Sequence, residues 1–490
     1  MSNLSRRALL AGLGISAANT ALAKAPASSI IPLARPMAQA PAAQRPDVAR
    51  DVVGELGLSG KTAYVVADAR SGRLLASYNP LLAMPTASVA KAITAQYALD
   101  ALGRTHSFVT RIMATGALAE GVVEGDLILV GGGDPMLDTK DLAGLVDTVV
   151  ARGIRAVRGR FLYFAGPLPQ IEEIDGKQPA HVGYNPAVSG LNLNFNRIYF
   201  GWKKNGDGYD VELDARSENA RPQVDSIQLS LAERGSPVYD YRKQGQSEIW
   251  SVSRRALGTG GGRWLPVRQP DTYAAEVVQA LAAAKGLQLT RPEPISKLPR
   301  VMELARHHSL PLHRVLRSMM YYSTNLIAEV VGLNASLALG NQPGTLRASA
   351  ANMSDWMQRH LGARRPRFVD HSGLGDTSRV TAQDMANAMV RIGPDSTLAA
   401  MMRKFPLPKE ANGISVVAKT GSLNFVSGLS GFANIGGRDL AFAIFSADLP
   451  RRQAILPQER ERPRGAKPWA TQARVLQHEL IMDWARRFSA

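Results

Sequence analysis

Apolar and polar positions change period several times along the chain. Lys61-Thr62-Ala63-Tyr64-Val65-Val66-Ala67-Asp68 is a β-rich run, Arg70-Ser71-Gly72 is a turn, and Arg73-Leu74-Leu75-Ala76-Ser77-Tyr78 is a second strand. The pattern predicts a hairpin. Ala92 to Leu99 is almost entirely apolar or small, as a helix buried on all sides is. From about residue 105 to residue 290 the texture is β-rich. Gly125 to Val130 reads as a strand, Gly131-Gly132-Gly133-Asp134-Pro135 as a tight turn, and Gly258 to Gly262 as a flexible loop. Leu191-Asn192-Leu193-Asn194-Phe195-Asn196 alternates with period two, which predicts a half-buried strand. Helical texture returns over Leu312 to Leu339, and Asp370 to Gly375 reads as a turn. Ile414 to Gly421, Gly428 to Ile435 and Leu440 to Ser446 then predict an antiparallel meander, before a last helix over Thr471 to Phe488. The expected fold is mixed α/β of the α+β kind, an antiparallel sheet with helices. Residues 46–104 and 291–490 would form its main domain, and 105–290 one or two β-rich insertions.

The 490-residue length is too great for one core and agrees with two or three domains. The first 23 residues set Arg6-Arg7 before the apolar Ala8 to Ile15 and end on Ala21-Leu22-Ala23. That is the order of an export signal, and the paired arginines resemble the twin-arginine type. The apolar run is too short to span a bilayer. Residues 24–45, rich in alanine and proline, read as a flexible linker.

With no cysteine in the chain, disulfides, thiol catalysis and cysteine-held zinc are excluded. The eight histidines lack metalloprotease spacing, and His307, His308 and His313 fall on what reads as a solvated helical face. Gly60-Lys61-Thr62 is not a phosphate loop: Glu55 stands where its first glycine belongs, and a strand follows where a helix should. Neither metal nor cofactor is expected. The net charge of +17 suits an anionic cell-wall polymer or membrane surface. Nucleic acid is disfavoured, because no helix-turn-helix, zinc-finger or RNA-binding pattern accompanies the charge.

Candidate chemistry begins at Ser88 and Lys91, the one Ser-x-x-Lys pair in the chain. Three residues apart at the start of a helix, they share a face. A serine hydroxyl needs a base to become a nucleophile, and a lysine can serve once burial or a neighbouring cation keeps it neutral. A serine N-cap followed by a first-turn lysine accounts for the pair equally well in isolation. What separates the two readings is Ser323-x-Asn325 and then Lys419-Thr420-Gly421 further along the chain. Ser-x-Asn recurs at Ser77, Ser217 and Ser422, but Lys-Thr-Gly occurs once, and the ordered set is far more specific than any member.

The set resembles that of the penicillin-recognising serine enzymes. More closely, the chain resembles the low-molecular-mass class C penicillin-binding proteins, the D-alanyl-D-alanine carboxypeptidase/endopeptidase family. The long gap between Ser88 and Ser323, Gly131 to Pro135, Tyr184-Asn185-Pro186 and Asp370-x-Ser372-Gly373-Leu374 carry the closer likeness. The resemblance implies a penicillin-binding transpeptidase-like fold and a periplasmic enzyme. Its substrates would be peptidoglycan stem peptides and cross-links, and β-lactams its covalent inhibitors. Ser88 would attack the carbonyl between two D-alanines, Lys91 accept its proton, and Ser323 relay that proton to the leaving amine. Asn325 would bind the substrate's amide, Lys419 and Thr420 its carboxylate, and Gly421 leave the strand edge open. The backbone N–H groups of Ser88 and Ser422 would form the oxyanion hole. A class A β-lactamase has its second motif much nearer the first. An acid that could grip a diaminopimelate amine is missing from Gln178 to Gly183, and Glu173 and Asp175 lie further back. A non-catalytic wall-binding protein on the same fold, and a β-lactamase or esterase, are the alternatives.

Overall fold

A computed structural model describes residues 47–408 and 413–488. The export signal and linker expected over residues 1–45 lie outside them. A six-stranded antiparallel sheet forms the centre, in the order Arg403–Lys404, Ile414–Leu423, Val426–Ile435, Arg438–Ala447, Lys61–Asp68, Leu74–Tyr78. Chain neighbours Val426–Ile435 and Arg438–Ala447 pair over their full length, and Lys61–Asp68 then adds to the outer side of Arg438–Ala447. The three central strands are buried on both faces, which explains their nearly unbroken apolar sequence.

Alternation divides these strands between two cores. Ala441, Ala443 and Phe445 face a helical layer that includes Ala90–Leu102, Leu312–Tyr322, Leu346–Leu361 and Ala382–Ile392. Leu440, Phe442 and Ile444 face the closing helix Ala466–Phe488, where Trp484 packs its ring 5.6 Å from Phe442 and 5.8 Å from Tyr64. Ala90–Leu102 is buried on nearly every side, so its small residues reflect close helix packing rather than one apolar stripe.

A separate core lies over a five-stranded sheet in the order Glu293–Pro294, Phe161–Phe164, Leu127–Val130, Val109–Ala114, Met302–His308. His307 and His308 thus lie on a strand and not on a helical face; only His313 is helical, in Leu312–Tyr322. Two helices the sequence pattern did not suggest, Thr139–Ala151 and Pro270–Ala284, pack against this core. Gly260 to Gly262, expected in a loop, belong to the strand Gly260–Pro266, which pairs with Arg197–Asn205.

The strand expected over Leu191 to Asn196 does not form. Asn194, Phe195 and Asn196 all have positive φ, between 51° and 56°. Asparagine tolerates that region because its short side chain replaces lost backbone partners. Asn196 accepts from the Leu193 N–H at 3.0 Å and donates to the Ala187 carbonyl at 2.9 Å. Burial, and not a pleat, produced the alternation.

Ser88 sits on a 3-10 turn, Ala87–Val89, that feeds the helix Ala90–Leu102. Ala87 has φ of 43°, a strained value for a residue with a Cβ. The turn is wedged between two glycines. A Cβ on Gly421 would lie 2.9 Å from the Ser88 nitrogen, and one on Gly373, itself at φ 77°, would lie 1.8 Å from the Ala87 carbonyl oxygen. Gly373→Ala is expected to destabilise the protein by roughly 2 kcal/mol or more from backbone strain and overlap. Chemical denaturation measures that loss, and a midpoint within error of the parent would refute it.

Candidate active site

The elements above bring the three sequence motifs to one place. Ser88 and Lys91 come from the turn and first helical residues, and Ser323 and Asn325 from a break between two helices. Lys419 to Gly421 come from the strand Ile414–Leu423. The helix Leu312–Tyr322 ends because Ser323 adopts the left-handed conformation, φ 59° and ψ 34°, and Asn325–Ala338 starts two residues later. This kink turns the Ser323 and Asn325 side chains towards different lysines.

Lys91 is fully buried. Its Nζ lies 2.7 Å from Asn325 Oδ1, 2.7 Å from the Ser372 carbonyl oxygen and 2.9 Å from Ser88 Oγ. The first two partners can only accept. Asn325 Nδ2 donates to the Tyr184 carbonyl at 2.7 Å, which fixes which end of the amide faces Lys91. A neutral lysine has two N–H groups and one lone pair. Asn325 and Ser372 take both N–H groups, so the lone pair points at Ser88 Oγ. Burial lowers the Lys91 pKa well below its ordinary value, and Lys419 adds to the effect, against the opposing pull of Glu329 and Asp370.

Lys419, also buried, donates to Ser323 Oγ at 3.0 Å and to the Thr420 carbonyl at 2.7 Å. Desolvation brings its pKa down to about 8. Ser323 is thus tied to the second lysine, while Asn325 is tied to the first. Thr420 and Ser422 are exposed at the strand edge, and Gly421 is pressed against the Ser88 turn. The outer neighbour Arg403–Lys404 pairs only with Ala418 and Val417. Among the described residues, Lys419 to Leu423 therefore keep an open edge, along which an extended peptide can pair.

A layer of buried carboxylates lies beneath the lysines. Glu329, fully buried and four residues after Asn325, accepts the backbone N–H groups of His371 and Ser372, both at 2.9 Å. It thereby holds the loop whose carbonyl receives Lys91. Asp370 folds that loop on itself, accepting from Gly373 N–H at 2.6 Å and Gly375 N–H at 2.5 Å. Burial and the facing Asp370 raise the Glu329 pKa to about 8, and burial raises that of Asp370 to about 6. One signal was available. Glu329 is the only charge in the apolar run Leu326 to Val331, on the same helical face as Asn325.

A cavity of about 1000 Å³ opens over Ser88 and is also lined by Ser323, Asn325 and Ser422. Its far wall is charged, with Asp175, Asp376 and Arg452. Asp175 reaches the wall although it precedes Tyr184 by nine residues, because Asn185 Oδ1 accepts from the Ile174 and Asp175 N–H groups, both at 3.0 Å, and folds the segment back. Arg452 donates to the Asn424 carbonyl at 2.9 Å, and desolvation lowers its pKa.

Residues 49–461 match the D-Ala-D-Ala carboxypeptidase 3 (S13) family. The D-alanyl-D-alanine carboxypeptidase DacB of Haemophilus influenzae is 24% identical over 421 residues, which cover 81% of this chain and 87% of the relative. A D-alanyl-D-alanine carboxypeptidase of an Actinomadura species is 26% identical over 416 residues, 78% of this chain and 76% of its own. The crystal structure of penicillin binding protein 4 (dacB) from Haemophilus influenzae superposes with a TM-score of 0.72 at 21% identity, covering 88% of this chain and 99% of that one, and shows the same penicillin-binding fold. A family match over most of the chain, on a fold that gathers its three motifs around one cavity, makes this protein a member of the S13 family of serine D-Ala-D-Ala carboxypeptidases.

Proposed function

We propose that this D-Ala-D-Ala carboxypeptidase cleaves the peptide bond after D-alanine in peptidoglycan stem peptides and cross-links through an acyl-enzyme on Ser88. The supporting observation is the environment of Lys91, a buried amine with two fixed acceptors and its remaining position on the Ser88 hydroxyl. Lys91 takes the proton as Ser88 Oγ bonds to the substrate carbonyl carbon. The tetrahedral oxyanion lies between the Ser88 and Ser422 N–H groups, each such donor being typically worth about 3 kcal/mol. Ser323 relays that proton from Lys91 to the departing amine, and water then hydrolyses the ester. Lys419 and Thr420 hold the C-terminal carboxylate, Asn325 the substrate amide, and the open edge beside Gly421 the extended backbone. A β-lactam follows the same first step and stays on Ser88.

The export signal and basic charge support a periplasmic protein facing anionic wall or membrane surfaces. Among the described residues, no helix is long and apolar enough to cross a membrane. We read residues 46–104 and 291–490 as the peptidase unit and 105–290 as its insertion. The separate apolar cores support this, with the strands Glu293–Pro294 and Met302–His308 lent to the inserted sheet.

A fluorescent penicillin is expected to label the purified protein and to leave Ser88→Ala unlabelled; equal labelling of both would reject the assignment. Lys419 is charged below pH about 8 and neutral above it. The kcat/KM for peptides ending in a free carboxylate should therefore fall as pH rises through that value. Lys419→Arg should move the fall to higher pH, and a profile unchanged by this substitution would count against carboxylate binding by Lys419. Glu329→Gln presents a donor to a backbone N–H it formerly accepted. It is expected to cost about 1–3 kcal/mol of stability and to slow acylation, read by thermal unfolding and stopped-flow labelling.

A further inference from the structure

A second cavity, of about 580 Å³, adjoins the active site on the far side of Ser323. Ser323, Asn325 and Tyr184 line both cavities, whereas Ser88 and Ser422 line only the larger. This arrangement gives the two spaces different sides of the scissile bond. The acyl portion, bonded to Ser88 and lying along Ser422 to Asn424, fills the larger. The departing amine meets Ser323, and whatever is attached to it continues past Ser323 into the smaller. A single D-alanine is far too small to fill 580 Å³.

The lining of the smaller cavity combines apolar and aromatic surface with the neutral polar Ser318, Ser323, Thr324 and Asn325 and a single charge. Met136, Pro186, Phe195 and the exposed Tyr322 contribute the surface, and Arg197 contributes the charge. The Arg197 guanidinium lies 5.3 Å from the Phe195 ring centroid and 5.7 Å from that of Trp264. Its Nε is buried without a hydrogen-bond partner, and among the described residues no carboxylate forms an ion pair with it. Burial lowers its pKa, an effect only slightly opposed by Tyr273. A guanidinium held between two rings without a counter-ion is costly unless a ligand supplies the anion. It also lies beside the segment that orients the Asn325 amide. A Cβ on Gly183 would stand 3.4 Å from Arg197 Cδ, and the next residue, Tyr184, gives its carbonyl to Asn325.

We infer that this cavity is a leaving-group subsite, in which Arg197 binds a carboxylate of an acidic peptide strand released from a cross-link. The inference rests on the peptidase reading above and extends it. The enzyme has room and charge for two strands, one on each side of the cleaved bond. In a cross-link the leaving amine belongs to a diamino-acid side chain in the second strand, and that strand carries free carboxylates. A terminal D-alanine leaves with its carboxylate on Lys419 and Thr420 and does not reach Arg197.

The test compares purified enzyme on a cross-linked dimeric muropeptide, on the same dimer with the carboxylates of its leaving strand amidated except the one beside the leaving amine, which Lys419 and Thr420 take, and on a monomeric pentapeptide. The parent enzyme is expected to cleave the amidated dimer at least about tenfold less efficiently than the native dimer. Arg197→Gln should lose the same factor on the native dimer, be indifferent to amidation, and keep its pentapeptide kcat/KM and penicillin acylation rate. Arg197→Lys should recover part of the loss. Equal cleavage of native and amidated dimers by the parent enzyme overturns the subsite. So does an Arg197→Gln defect of equal size on dimer and pentapeptide. The parent-enzyme comparison needs no variant, so a folding defect in Arg197→Gln leaves it decisive. Absent penicillin acylation of the parent enzyme would instead refute the peptidase reading.

Discussion

Keeping a lysine amine out of water, uncharged and aimed, is the constraint that explains most of the architecture around Ser88. An isolated buried ammonium is costly, and a buried amine with unclaimed hydrogens is poorly oriented. Both problems are met by geometry. The closely packed helix Ala90–Leu102 excludes solvent, Lys419 disfavours a second positive charge, and two acceptors on different elements claim the hydrogens. One acceptor lies on the Asn325–Ala338 helix and the other on a loop that Glu329 of the same helix holds in place. The helix thus acts twice on Lys91, directly through Asn325 and indirectly through Glu329. His371, between Asp370 and Ser372, is buried with its pKa lowered to about 3 by desolvation, so the loop adds no cation beside the lysine.

The two glycines around the Ser88 turn illustrate the same economy of space. Gly421 lets the strand lie against the backbone nitrogen of Ser88, and Gly373 lets the Glu329-held loop lie against Ala87. Strain at Ala87 persists because packing on both sides fixes the turn. The open strand edge and the Ser88 turn are consequently held in a fixed register.

The sheet, its meander and the burial of Ala92 to Leu99 were legible because each depends on local periodicity over a long element. The motif residues were legible because three weak patterns in a fixed order are specific together. Leu191 to Asn196 misled for a physical reason. Alternating apolar and polar residues are shared by pleated strands with one solvated face and by buried loops whose asparagines turn inward to bond the backbone. Glu329 and Arg197 went unread for a different reason. Their significance lies in what faces them across the fold, a loop more than forty residues away for the first and a solvent cavity for the second. Asp175 was set aside as too distant in sequence, although the backbone turn at Asn185 returns it to the cavity.

The hydrogen bond from Asn325 to the Tyr184 carbonyl bears on how this enzyme can be divided. Tyr184 belongs to the long segment between the first and second motifs, so the orientation of the Asn325 amide is anchored from outside the elements that carry the motifs. Without that carbonyl the amide is free to rotate half a turn and offer its NH2 to Lys91. The lysine lone pair would then be drawn to Asn325 and away from the serine. A shortened protein built only from the motif-bearing elements would retain every motif side chain and still have Lys91 facing the wrong partner.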